Sequence, residues 1–155
     1  MSEPLAFRPV DFARHAELCV HFKREAYACS FGSDALFDDH FESDAAYLAW
    51  LRQRAAIHVW IDGEIVGQLE VALRADPEVS YVSLFYLVES ERGTATGDAI
   101  HAHVVGLLRR HGSSVADLHV SGSNLRALRY YLKHGWRDLG AGPNGDVHRM
   151  RFELA

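Results

Sequence analysis

The ten residues from Val79 to Val88 constrain this chain more than any others. They read V-S-Y-V-S-L-F-Y-L-V, with two small hydroxyl side chains among aliphatic and aromatic ones. A strand this apolar needs cover on both faces, which puts it in the interior of a sheet between helical layers. The residues before it supply its neighbours. Ile57 to Ile61 and Glu64 to Leu73 read as two strands, and Asp62-Gly63 between them is a favoured two-residue hairpin turn because both positions tolerate positive φ. The residues after it change period. From Gly97 to His111 the apolar positions Ile100, Val104, Leu107 and Leu108 recur at helical spacing. Arg109 and Arg110 in the last turn, with Gly112 just past it, suit the end of a helix.

The remaining elements follow the same rules. Leu5 to Val10 reads as a strand and Phe12 to Ala28 as a helix. Ser30 to Asp44 reads as a polar loop with scattered aromatics. Ser43 caps a helix running to about Arg54. Val115 to Ser121 is a strand, and Ser123 caps a helix from Leu125 to His134, stopped by Gly135. Trp136 to Leu139 and Val147 to Leu154 form a last hairpin around a turn at Ala141 to Gly145. The expected fold class is α/β (α+β): a single mixed, mostly antiparallel central sheet flanked by helices, in one domain over residues 1–155.

Composition narrows the function. With 48% hydrophobic residues in 155, the chain is neither disordered nor fibrous. A net charge of −5 disfavours nucleic acid and anionic membranes as partners. No stretch approaches a membrane span, and the segment MSEPLAFRPV lacks the basic and apolar regions of a signal peptide, so a cytoplasmic protein is expected. Cys19 and Cys29 form no CxxC pair and read as reduced, buried thiols. The ten histidines show no ligand spacing with a carboxylate, so no metal is expected.

Two segments carry chemistry. Leu87-Val-Glu-Ser-Glu-Arg-Gly-Thr-Ala-Thr-Gly-Asp98 leaves the central strand, forms a small-residue loop and enters a helix. Such a loop presents unpaired N–H groups at the positive end of a helix, where a phosphate or pyrophosphate is stabilised. It is not a P-loop, which needs GxxxxGK[ST], nor a dinucleotide fingerprint, which needs GxGxxG in a βαβ unit. An ordinary strand-to-helix turn would also account for it. In the second segment, Asn124 and Tyr131 stand seven residues apart on one helix, nearly two turns and ~10 Å, with Ala127 between them on the same face. That face suits an elongated ligand. A cap at Asn124 and a core Tyr131 would be the structural alternative.

Together the two segments resemble the GCN5-related N-acetyltransferases (GNAT family). The family's loop, [Q/R]-x-x-G-x-[G/A], is matched by Arg92-Gly-Thr-Ala95-Thr-Gly97, except that Ala95 stands where the family has Gly. Its later motif, N-x-x-A-x-x-[aromatic/Leu]-Y-x-x-x-G-[F/W], is matched at Asn124, Ala127, Tyr130, Tyr131, Gly135 and Trp136. The likeness is strong from about Ile57 to the end and extends over the first half in element order.

The resemblance implies a GNAT-like acyl-CoA N-acyltransferase fold and acetyl-CoA as co-substrate. It places the pyrophosphate on Gly93, Thr94, Ala95, Thr96, Gly97 and Asp98, after Arg92. The pantetheine arm would pair along the strand edge at Leu87, Val88 and Glu89. Asn124 would hold the arm or a bridging water, and Tyr131 would lie near the thioester sulfur. The implied reaction is direct attack by an amine in a ternary complex. A backbone N–H at Leu87 or Val88 would stabilise the oxyanion, and the Tyr131 hydroxyl would protonate the leaving thiolate. For the base that takes the amine's proton, Glu70 is the expectation, if its carboxylate faces the cleft rather than a solvated surface. Ser30, Phe31 and Gly32 lie where the family shapes its acceptor pocket.

Charge is uneven. Residues 1–80 carry −7 and residues 81–155 carry +2, so an acidic acceptor half would draw a cationic amine. The expected acceptor is a small-molecule primary amine. The alternatives are a protein or peptide N-acetyltransferase, or a non-catalytic acyl-CoA-binding module. A homodimer is a family-level expectation.

Overall fold

The computed structural model describes residues 5–73, 78–143 and 146–154. The chain runs β1 (Ala6–Pro9), α1 (Phe12–Phe31), α2 (Ala35–His40), α3 (Asp44–Arg52), β2 (Ala55–Ile61), β3 (Glu64–Ala72) and β4 (Val79–Leu87). It continues through a 3-10 turn (Glu89–Glu91), α4 (Ala95–His111), β5 (Val115–Ser121), α5 (Leu125–Lys133), β6 (Arg137–Ala141) and β7 (Val147–Glu153). Local chemistry sets the ends. The side chains of Asp11, Ser43 and Thr94 accept hydrogen bonds from the first free N–H groups of α1, α3 and α4. Gly32 and Gly112 close α1 and α4 in the left-handed conformation. Asp62 and Gly63 adopt φ of 53° and 76°, as the hairpin between β2 and β3 requires.

Three boundaries differ from expectation. The polar segment after α1 contains a helix, α2. It is held in place by Phe37, which is fully buried against Tyr27 and Tyr47. Helix α1 runs to Phe31, so Ser30 and Phe31 belong to its last turn and only Gly32 lies beyond. Helix α5 is capped by Asn124, not Ser123. The Asn124 side chain accepts from the N–H of Ala127, while the Ser123 hydroxyl donates to the carbonyl of Ser30. Of the expected turn at 141–145, residues 144 and 145 lie outside the described residues, and Ala141 is the last residue of β6.

The seven strands form one sheet in the order β1-β2-β3-β4-β5-β7-β6, antiparallel except for β4 beside β5. Leu69 and Val71 face α4, in a core with Ile100, Val104 and Leu108. The opposite face meets α1 to α3, where Cys19, Phe37, Tyr47 and Leu51 are buried. Gly67 tolerates no side chain, since a Cβ there would lie 2.5 Å from the carbonyl oxygen of Tyr86 on the adjacent strand.

Two irregularities in β4 open the molecule. The parallel pairing with β5 lasts only from Val79 opposite Val115 to Tyr81 opposite Asp117. Beyond it, β4 stays with β3 as far as Leu87, while β5 stays with β7 as far as Ser121. The two strands part like a fork. Just past the fork, Glu70 pairs with Leu84 and Val71 with Val82, which leaves Ser83 as a bulge. A bulge bends its strand and sharpens the twist, and here it sits where β4 turns away from β5.

Candidate active site

The fork leads into a cleft of about 840 Å³ that runs between the sheet, α1, α3 and α5. One end is built from the loop after β4 and from α5. Gly93 has φ of 75°, which few other residues adopt. The N–H of Thr96 is taken by the Thr94 hydroxyl, and that of Gly97 by the Thr94 carbonyl. Among the described residues no internal acceptor meets the N–H groups of Gly93, Thr94 and Ala95. These three, at the positive end of α4, form a nest for an anion. Arg126, on the first turn of α5, adds a cation: its Nη2 lies 3.3 Å from where a Gly93 Cβ would stand. The motif spacing gave no sign of it.

The middle of the cleft is the free edge of β4. The N–H of Val88 donates to the carbonyl of Val66, so Leu87, one residue earlier, points its backbone groups away from β3. The N–H of Val88 is therefore already used, while that of Leu87 faces the open side of the strand. The Leu87 carbonyl is already used, because Arg92 Nε donates to it over 2.8 Å. The Arg92 guanidinium also lies 3.3 Å from Glu25 of α1 and over the Tyr86 ring. It ties loop, strand and helix together instead of facing the nest.

Asn124, Ala127 and Tyr131 all line the cleft, as their spacing on α5 predicts. Asn124 is both cap and wall: its Oδ1 caps the helix, and its Nδ2 donates to the Ser30 hydroxyl over 3.3 Å. Tyr131 is largely buried between Phe85 and Trp136. Among the described residues its hydroxyl has no hydrogen-bond partner. Burial first, then the nearby Tyr81, pushes its pKa above the ordinary phenol value, so it stays protonated. Tyr130 beside it donates to the carbonyl of Gly97 over 2.6 Å and locks α5 to the start of α4.

The other end of the cleft is aromatic. Tyr27, Phe31, Phe41 and Trp50 line it, with His40, Glu42 and Lys23. Ser30 and Phe31 line it, but Gly32 does not; it serves as the cap of α1. Burial pushes the Tyr27 hydroxyl up to about 12. Of the expected cofactor residues, Leu87, Arg92, Gly93, Gly97, Asn124 and Tyr131 share the cleft wall. The side chains of Val88, Glu89, Thr94, Ala95, Thr96 and Asp98 do not, so Thr94 and Ala95 offer backbone only, and Asp98 pairs outward with Lys133.

Glu70 faces neither cleft nor solvent. It is fully buried, and its carboxylate accepts from Lys23 Nζ at 2.7 Å, from the Tyr47 hydroxyl at 2.6 Å, and from Gln68 and Ser83. Lys23 and Ser83 stand between it and the cleft. The cluster ties α1 and α3 to the sheet across 47 residues of sequence. One of the two cysteines also differs from expectation. Cys19 is buried, with its thiol pushed up to about 12 by desolvation, while Cys29 is exposed at the cleft. Among the described residues no cluster of side chains is suited to a metal ion, and no helix is long and apolar enough to cross a membrane.

Free N–H groups at the start of α4, an open strand edge and an aromatic pocket share one cleft, which suits a long ligand with an anionic end. The comparisons agree. The model of the acetyltransferase (GNAT) family matches residues 20–136, and the chain belongs to that family. A sequence search of curated proteins finds no match. Among solved structures, the chain is similar to PaiA N-acetyltransferase from Thermoplasma acidophilum in complex with coenzyme A. The TM-score is 0.80 at 13% identity, over 97% of this chain and 99% of that one. Ard1 from Thermoplasma volcanium gives 0.77 at 18%, over 97% and 98%. Spermidine N-acetyltransferase from Vibrio cholerae, in complex with CoA and spermine, gives 0.76 at 14%, over 97% and 95%. The chain is an acyltransferase with acetyl-CoA as co-substrate, and its fold is that of the GNAT enzymes.

Proposed function

We propose that this enzyme acetylates the primary amine of a small molecule by direct attack within a ternary complex. The aromatic end of the cleft carries the reading. A pocket lined by the aromatic side chains of Tyr27, Phe31, Phe41 and Trp50 fits a compact amine better than an extended peptide. Glu42 at this end favours a cationic acceptor.

Acetyl-CoA supplies an activated acetyl group as a thioester. The N–H groups of Gly93, Thr94 and Ala95, with Arg126, would hold its phosphates. The edge of β4 and Asn124 would hold the pantetheine arm. The Leu87 N–H is free to stabilise negative charge on the acetyl oxygen. Among the described residues the Tyr131 hydroxyl has no competing acceptor, and it donates toward the departing sulfur. No enzyme nucleophile is needed, and the buried, protonated Cys19 offers none. Glu70, held by Lys23 and Tyr47, would fix the chamber wall.

The test is calorimetry of acetyl-CoA binding to Gly97→Glu. A Cβ at Gly97 meets only an ordinary contact with Tyr130 at 3.4 Å, so the Gly97→Ala control is expected to fold and to bind. The added carboxylate is expected to abolish binding by facing the phosphates. Unchanged affinity in Gly97→Glu would remove the cofactor seat from this loop.

A further inference from the structure

The attacking amine arrives as an ammonium ion and must lose a proton, and the roles above leave that step without a residue. Glu70 is covered on all sides, and Cys19 is buried. The fork of the sheet holds another pair. Tyr81 is the last residue of β4 paired to β5, and His119 is the second residue of β5 beyond that pairing. Both line the cleft, with the Tyr81 Oη 2.6 Å from His119 Nδ1. His119 is exposed, so its other ring nitrogen reaches water.

We propose that Tyr81 and His119 form the relay that deprotonates the acceptor amine. This rests on the acceptor reading above. The Tyr81 oxygen takes one proton from the ammonium group as its own hydroxyl proton passes to His119 Nδ1. The N–H bond of the ammonium and the O–H bond of the tyrosine break, while a new O–H bond and an N–H bond form. The products are a neutral amine and a His119 imidazolium, which gives its proton to solvent. No oxidant, metal or further reactant is needed.

The pair sits at the fork where β4 and β5 part, and it lines the same cleft as Tyr131, beside the expected sulfur, and Tyr27, in the acceptor pocket. A second pair, Tyr27 with His40 Nδ1 at 2.6 Å, lies on the helices α1 and α2, away from the fork.

The experiment has two arms. The first needs no acceptor. Nitrogen-15 spectra of the histidine rings, assigned with His119→Gln, are expected to show neutral His119 protonated at Nε2 with Nδ1 as an acceptor. The Nδ1 signal should move in Tyr81→Phe. A proton on Nδ1 in the neutral ring would overturn the relay. The second arm compares phenethylamine, chosen for the aromatic chamber, with its β,β-difluoro analogue, whose less basic amine is largely neutral at working pH. His119→Gln and Tyr81→Phe should each lower kcat on phenethylamine by about 10²-fold, the low end for general acid–base catalysis, and spare the difluoro amine. Acetyl-CoA affinity should not change. Equal losses on both amines, or none on either, would overturn the relay. If the wild-type enzyme acetylates neither, the acceptor reading fails, and the spectra alone then decide whether the pair is poised as stated.

Discussion

Tyr131 shows how one side chain is given its task by its surroundings. The ring is fixed by Phe85 and Trp136, while the hydroxyl faces the cleft with no partner among the described residues. A raised pKa keeps the proton in place. An interaction made chiefly as the sulfur departs raises kcat without tightening binding. Tyr131→Phe retains the ring contacts, so its effect isolates the hydroxyl. Steady-state kinetics should show kcat lower by about 10²-fold, with acetyl-CoA affinity unchanged. Full kcat in Tyr131→Phe would reduce Tyr131 to a packing residue.

Helix α5 is where stability and binding share residues. Asn124 caps it through Oδ1 and reaches Ser30 of α1 through Nδ2, so one substitution tests two roles. Asn124→Ala should cost about 1 kcal/mol of stability by loss of the cap and weaken acetyl-CoA by about 1–2 kcal/mol. Asn124→Ser keeps a capping oxygen and deletes the amide, so melting curves should recover while calorimetry still reports weak binding. The face of α5 was readable because helical period and motif agree at Asn124, Ala127 and Tyr131. Helix α2 was not. Its six residues are too few for a period to show, and it exists because Phe37 finds Tyr27 and Tyr47. Tyr81 and His119 are 38 residues apart, and Lys23 and Glu70 are 47 apart. Only the pairing of strands and the packing of α1 on the sheet bring them together. Spacing along the chain carries no trace of such contacts, which is why Glu70 reads in sequence as a possible base and Arg126 does not stand out.

At the scale of the molecule, α4 and α5 are joined beneath the cofactor end by His101. Its Nε2 accepts from Trp136 Nε1 over 2.8 Å, and its ring stacks on His134. Burial first, then His134, lowers its pKa from 6.5 to about 4. Above pH 6.5 the imidazole is neutral in both states. Between 6.5 and about 4 only the unfolded chain takes up the proton, so stability falls as the pH falls. The loss is on the order of 3 kcal/mol. Asp98 and Asp117, whose pKa values are lowered by Lys133 and by the Arg149 and Arg151 pair, add losses of the same sign at lower pH. Urea midpoints measured across this window should drop steeply for the wild-type protein and less for His101→Phe. Identical slopes would show that His101 is not the group responsible.

Release of free thiol from acetyl-CoA across a panel of amines, amino acids, polyamines and peptides, run in parallel on wild type and Gly97→Glu, tests whether one cleft joins acetyl-CoA on the loop after β4 to an amine in the aromatic pocket. Thiol release should require an added small primary amine, and Gly97→Glu should abolish it. Release that needs no amine, or that survives Gly97→Glu, would contradict the account.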